Sequence, residues 1–227
     1  MTIYEIIYAI REGLRDYTDD TRYSDDYLVF QFNLKRNVLL RREYNQLQRS
    51  IDSELTSTIC LDIELVDASE CPECYPHEGC EVVRTVQSLP RLLELHSRPT
   101  ITRVAPVGIY NKPFSLVSRS KALYVGESNY EKNIIYAFLN NDDKIYLKST
   151  NKFVRTLDKI AVTILPENPL DLIEYKCLGD VNCFDPTTEK YPIKAWMADV
   201  VISMIIQELA NIKQIPEDRT NNAKADV

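Results

Sequence analysis

At 227 residues, 44% apolar and 27% charged, the chain has ordinary globular composition and length enough for one large domain or two small ones. It holds only 5 glycines and 2 histidines, and their positions exclude a Walker-A loop, a G-x-G-x-x-G turn, an H-E-x-x-H site and a multi-histidine metal cage. With 34 acidic against 27 basic residues the net charge is −7, a poor balance for wrapping nucleic acid.

The opening residues Met1–Glu5 lack the positive start and continuous apolar run of a secretory signal. Instead Ile3, Ile6, Ile7, Ile10 and Leu14 form one stripe of an amphipathic helix over about Thr2–Asp16. Thr2 and Glu5 have the spacing of a capping box, and Gly13 is expected to weaken the last turn. A polar loop follows. Ser24 then caps a second helix reaching to about Arg49, with Asp25 and Asp26 at the positive end of its dipole. Tyr27, Phe30, Leu34, Val38 and Leu47 are its expected inward stripe. The short connection predicts an antiparallel helical pair.

Charge is unevenly spread over these helices. Asp16, Asp19, Asp20, Asp25 and Asp26 crowd together, relieved by Arg22; Lys35, Arg36, Arg41, Arg42 and Arg49 follow, opposed by Glu43. Single runs of this kind are ordinarily solvated helix faces. Taken together they predict an acidic patch (Asp19, Asp20, Asp25, Asp26) and a basic patch (Arg36, Arg41, Arg42) that meet on neighbouring copies.

The period changes to two at Thr58, where Thr58, Cys60, Asp62 and Glu64 alternate with Ile59, Leu61, Ile63 and Leu65 as in a half-buried strand. Val82-Val83 and Ile101–Val104 are short strand candidates. Asn133–Leu139 and Lys144–Lys148 read as an antiparallel hairpin across Asn140–Asp143. A further strand, about Lys159–Leu165, is stopped by Pro166 and Pro169. Pro192 suits a first helical turn. Ile193, Trp196, Met197, Val200, Val201, Met204, Ile205 and Leu209 then mark a C-terminal helix expected to pack on the first two. No run reaches the ~18 apolar residues of a membrane helix.

The predicted fold class is therefore α+β: a helical bundle of two N-terminal helices plus a C-terminal helix, with an inserted antiparallel β-rich region and an extended tail. The expected division is 1–56, helical pair; 57–185, β-rich insertion; 186–212, C-terminal helix on the N-terminal pair; 213–227, partner-binding tail. The tail offers little to bury, so Ile215, Pro216, Glu217, Asp218, Asn221, Asn222, Lys224 and Asp226 are expected to order only on a partner.

Six cysteines in a chain made in a cytosol are expected as thiols or metal ligands. Cys71, Cys74, His77 and Cys80 form a C-x2-C-x2-H-x2-C cluster, a chemically suitable set for a structural zinc. The gaps are short for a zinc knuckle, and a plain surface loop is the competing reading. His96 reads as structural, and Cys177 and Cys183 bracket a turn. No acid–base or nucleophile–base pair can be named, so no catalytic residue and no other cofactor is expected.

The order of parts also carries a resemblance. The opening Ile6-Ile7-x-x-Ile10-Arg11, the helix start Tyr23-Ser24-Asp25, the strand Ile59-Cys60-Leu61-Asp62 and the hairpin start Asn133-Ile134-Ile135-Tyr136 resemble the head-to-tail connector (adaptor or ring) proteins of tailed bacteriophages, particularly the crAss-like group. So do Cys183-Phe184-Asp185-Pro186, the run into Trp196–Leu209, and the polar tail. The Cys71–Cys80 loop is no part of that likeness. The resemblance implies a structural virion protein assembled in the host cytoplasm. It implies a ring, most often of twelve identical subunits, between the portal and neighbouring tail ring proteins, extending a channel through which DNA passes without sequence-specific contact. It implies no membrane contact. Two alternatives stay open: another ring or tail-tube protein further from the portal, or a zinc-binding interaction module.

Overall fold

A computed structural model describes residues 1–15, 23–47, 50–67, 81–96, 98–107, 112–126, 128–176 and 182–213. Helix α1 is Ile3–Arg15, and its stripe Ile3, Ile6, Ile7, Ile10 and Leu14 is buried. The capping box closes both ways: the Thr2 N–H donates to Glu5 Oε2 at 2.9 Å and the Glu5 N–H to Thr2 Oγ1 at 3.3 Å. Gly13 has a packing reason beyond its weakening of the turn. A Cβ there would stand 2.3 Å from Ile206 Cδ1, so the missing side chain lets the C-terminal helix approach.

Helix α2 is Asp25–Leu47, begun by Ser24, whose Oγ accepts from the Tyr27 N–H at 3.3 Å. Its expected inward stripe is overturned. Tyr27, Phe30, Leu34 and Val38 are 37%, 62%, 46% and 54% exposed; the side chain of Leu47 lies outside what is described. The buried face is Leu28, Phe32, Leu39, Leu40 and Tyr44, with Asn33, Arg36 and Asn37 among them. Two apolar stripes run along opposite sides of this helix. The core takes the one whose polar members find partners inside, because an unsatisfied buried polar group costs ~1–3 kcal/mol. Arg36 Nε donates to the Pro192 carbonyl at 3.1 Å, and its Nη1 to the Pro166 carbonyl at 3.2 Å and to Asn37 Oδ1 at 3.1 Å. Asn37 Nδ2 donates to the Glu167 carbonyl at 2.9 Å, and Asn33 Nδ2 to Asn168 Oδ1 at 2.9 Å. The Tyr191 hydroxyl donates to Asn33 Oδ1.

The strands are β1 Ser57–Asp67, β2 Glu81–Thr85, β3 Glu94–Leu95, β4 Arg98–Pro99, β5 Ile101–Pro106, β6 Ser115–Leu116, β7 Tyr136–Leu139, β8 Ile145–Lys148 and β9 Lys159–Ile164. A short helix α3, Arg119–Ala122, lies between β6 and β7. Seven strands make one sheet in the order β5-β9-β1-β2-β8-β7-β6, while β3 and β4 pair separately. Among the described strands every pairing is antiparallel except β6 with β7. The long β1 pairs with β9 through Ser57–Asp62 and with β2 through Ile63–Asp67, so it joins the two halves of the sheet. The edges return toward each other, since the Phe114 N–H donates to the Val104 carbonyl of β5 at 2.7 Å. The hairpin β7–β8 turns at Asn140–Asp143, where Asp143 takes a left-handed φ of 57°. Its first strand starts at Tyr136, three residues later than the expected Asn133.

Helix α4, Ala195–Lys213, starts three residues after Pro192, which lies outside the first turn and presents its carbonyl to Arg36. Met197, Val201, Ile205 and Leu209 are buried, but Trp196, Val200 and Met204 of the expected stripe are 50%, 38% and 40% exposed. The helix packs against both α1 and α2. The buried side chains of these three helices and of Ile59, Leu61, Val104, Ile145, Leu147, Ile160, Val162 and Ile164 form one continuous cluster. A smaller cluster, Val82, Ala122, Phe138 and Tyr146, lies on the other face of the sheet, as the alternation of Val82 with Val83 requires.

The cysteine expectation is corrected at one position. Cys60 is a free thiol, but Cys183 is disulfide-bonded. Lys176 and Asn182 pair across an isolated β-bridge, which draws together the chain on either side of 177–181.

Candidate interaction surfaces

The two predicted charge patches are partly absorbed within the chain. Asp25 is paired with Arg11 of α1 at 2.5 Å, Arg41 lies 3.8 Å from Glu167, and Lys35 is paired with Glu208 of α4. Arg36 is removed from the basic patch altogether, because its guanidinium is wholly buried in the network described above. Burial pushes that guanidinium below its ordinary pKa, and the neighbouring Tyr191 opposes the shift. Asp26 and Arg42 remain at the surface. Neither side chain makes a hydrogen bond or ion pair among the described residues. Asp16, Asp19, Asp20, Arg22 and Arg49 lie outside the described residues.

The same holds for Cys71, Cys74, His77 and Cys80, and for the tail residues Ile215, Pro216, Glu217, Asp218, Asn221, Asn222, Lys224 and Asp226. Among the described residues no group of three or more His, Cys, Asp and Glu side chains could hold a metal. No described helix is long and apolar enough to cross a membrane. His96 sits in the turn between β3 and β4 with φ 52°, its N–H donating to Asn45 Oδ1 of α2 at 2.8 Å.

The sheet carries a charged ladder on the strands β1, β2 and β9. Arg84 Nε donates to Glu64 Oε1 at 2.7 Å, with Lys144 Nζ 3.7 Å from the same oxygen. Gln87 Nε2 donates to Asp62 Oδ2 at 2.8 Å, and Lys159 lies 3.3 Å from Asp62 Oδ1. Arg84 holds the Glu64 carboxyl below its usual range, and Glu64 in turn raises Arg84. Gln87, then Lys159, lowers Asp62. Every acid here has a donor, so the ladder fastens strands together and leaves no unpaired base for acid–base chemistry.

The surface whose outward facing the sequence did not reveal is apolar. Tyr27, Phe30, Leu34 and Val38 make an outward ridge along α2, and Trp196, Val200 and Met204 a second one along α4. The α2 residues are those whose i, i+3, i+7 and i+11 spacing predicts the inward stripe of that helix, and the structure turns that stripe outward. Apolar side chains aligned along the outer face of a helix are candidate contact surfaces. A separate apolar cleft of about 460 Å³ opens at the seam of the sheet, lined by Pro106, Phe114, Ile134, Ile135 and Phe153, with Lys112 at its rim.

Comparison with known proteins accords with a molecule built of contact surface. The family model described as phage tail ring protein 2 matches residues 5–227. Ring protein 2 of Bacteroides phage crAss001 is 28% identical over 228 residues, spanning 100% of this chain and 98% of that protein.

Proposed function

The chain belongs to the phage tail ring protein 2 family of crAss-like phages, and from that premise we propose that identical copies of it close into a ring joining the portal to the tail. Its role is structural, within the tail of the virion. The observation that carries the ring reading is the second apolar face of the helical layer. One face of α2 and α4 covers the sheet, and the other presents Tyr27, Phe30, Leu34, Trp196, Val200 and Met204 outward. A monomer gains nothing from that arrangement, whereas a subunit with neighbours buries it.

The ring is proposed to hold twelve copies and to continue the DNA channel below the portal. A net charge of −7 suits a wall that DNA slides past without sticking. Residues 213–227, poor in groups to bury, are proposed to extend over the adjoining ring or the portal and to gain affinity from their repetition around the axis.

Cryo-electron microscopy of the intact vertex tests this reading. The expected image has twelve copies of the chain in one ring directly under the portal; a position further down the tail or a different copy number overturns the corresponding part. Removing residues 214–227 leaves α4 whole and is expected to leave the melting temperature unchanged while particles lose their tails. Normally tailed particles with that deletion would refute the docking role of the tail.

A further inference from the structure

Ring closure needs two different surfaces on each subunit. A surface that pairs with its own copy stops at a dimer, whereas a head-to-tail contact repeats until it closes. The chain offers two apolar surfaces that fit this requirement. One is the convex α2 ridge, with Phe30 its most exposed member at 62%. The other is the concave cleft, to which no residue of α1, α2 or α4 contributes. Tyr27 stacks on Tyr23 at the start of the ridge, and Phe30, Leu34 and Val38 are left as its more exposed members.

Charge points to the same pairing. Asp26 stands one helical turn before Phe30 on the same side of α2, and its carboxylate makes no ion pair or hydrogen bond among the described residues. Lys112 stands at the rim of the cleft, exposed and equally without a partner there. An unpaired acid beside the ridge and an unpaired base beside the cleft fix which end of the helix goes where.

We infer that the α2 ridge of each copy seats in the Phe114–Ile134–Phe153 cleft of the next, with Phe30 as the anchor and Asp26 meeting Lys112. The occupant of the cleft is a second copy of this chain, bound helix-in-groove. The inference rests on the ring reading and names the surfaces that would make it.

Photo-crosslinking in assembled virions tests the contact. Phe30 is replaced by p-benzoylphenylalanine in a minority of copies, wild-type chain supplying the rest, so particle assembly does not depend on the substituted copy. After irradiation the expected product is a covalent dimer of this chain, joined from position 30 to peptides carrying Phe114, Ile134 or Phe153. A dimer joined elsewhere, a product with a different protein, a link within one chain, or no product would each overturn the inference. Quantitative mass spectrometry of the same particles counts the copies of the chain. Many copies without the expected link would sink this interface and leave the ring standing, whereas a single copy would remove the ring itself. Asp26→Lys in the copies carrying the photo-crosslinker is expected to lower the crosslink yield several-fold, and Lys112→Asp in the majority copies, which supply the neighbouring cleft, to restore it. Equal yields in all three backgrounds would remove the charge pairing from the proposal.

Discussion

The guanidinium carbon of Arg36 lies 5.9 Å from the ring centroid of Tyr191, and both side chains are buried between α2 and the segment leading into α4. No carboxylate partners this cation among the contacts it makes. Carbonyl oxygens of Pro166 and Pro192, the Asn37 amide oxygen and the tyrosine face share it, and Nη2 has no hydrogen-bond partner. The pair therefore fastens the helical layer to the chain after β9 and before α4.

Replacing Arg36 by Met is expected to destabilise the fold. Methionine relieves the cost of burying a charge, which on its own favours the variant. It also leaves two buried carbonyls without a donor, at ~1–3 kcal/mol each. The second effect is larger, and a net loss of about 2 kcal/mol is expected. Urea denaturation reads it directly, and a midpoint equal to or above that of the wild type would show the network to be dispensable. Tyr191→Phe, which removes the donor to Asn33, is expected to cost less than additively in the Arg36→Met background, since both act on one network.

Gly13 and Ile206 make a second testable pair. Alanine at position 13 gains about 1 kcal/mol of helix propensity. Its Cβ would meet Ile206 Cδ1 at 2.3 Å and Cγ1 at 3.2 Å, an overlap that forces the isoleucine or the helix to move. Overpacking costs ~1–3 kcal/mol, so Gly13→Ala is expected to lose stability overall. Ile206→Val removes the Cδ1 atom that collides. In the double variant the loss should be smaller than the sum of the two singles, by thermal or chemical denaturation. Strict additivity would mean that the two helices have room to spare.

Acid stability should depend on the Glu64–Arg84 pair. Arg84 lowers the Glu64 carboxyl from its ordinary value of 4.5, so the folded chain binds this proton less readily than the unfolded chain. The resulting stabilisation is complete above the unfolded value and is lost as pH falls through the depressed folded value. Asp62 acts in the same direction, but its side chain is 45% exposed and more strongly screened by solvent. The wild-type melting temperature should fall on acidification from about pH 5 to about pH 3, and Glu64→Gln should flatten that fall. Parallel curves for the two proteins would contradict the assignment.

Local signals made much of the fold legible. The Ile3–Leu14 stripe and the Thr2–Glu5 box specify α1 because every part of that signal lies within one helix. The β7–β8 hairpin is specified by its own turn. Features decided at a distance were not legible. Arg36 looks like a surface cation until Pro166, Pro192 and Tyr191, more than a hundred residues away, close around it. Of the predicted charge patches, Asp25, Asp26, Arg41 and Arg42 do lie at the surface. Spacing alone places the outward ridge of α2 in the core, because it does not distinguish a face that meets the sheet from one left for another chain.

That ambiguity yields the sharpest test of the orientation of α2. Leu28 is fully buried and Leu34 is 46% exposed, though both are leucines in the same helix. Leu28→Ala leaves a cavity among the core side chains and should cost about 2–5 kcal/mol. Leu34→Ala leaves none in the isolated subunit, and a change within about 0.5 kcal/mol is expected. The alanine variants differ little in helix propensity, so burial accounts for the contrast. Denaturation of the isolated subunit would reverse the orientation if Leu34→Ala proved the costlier change. Assembly should rank them differently. Leu34→Ala removes apolar area from the outward ridge, and should weaken incorporation into particles while leaving the fold of the subunit intact.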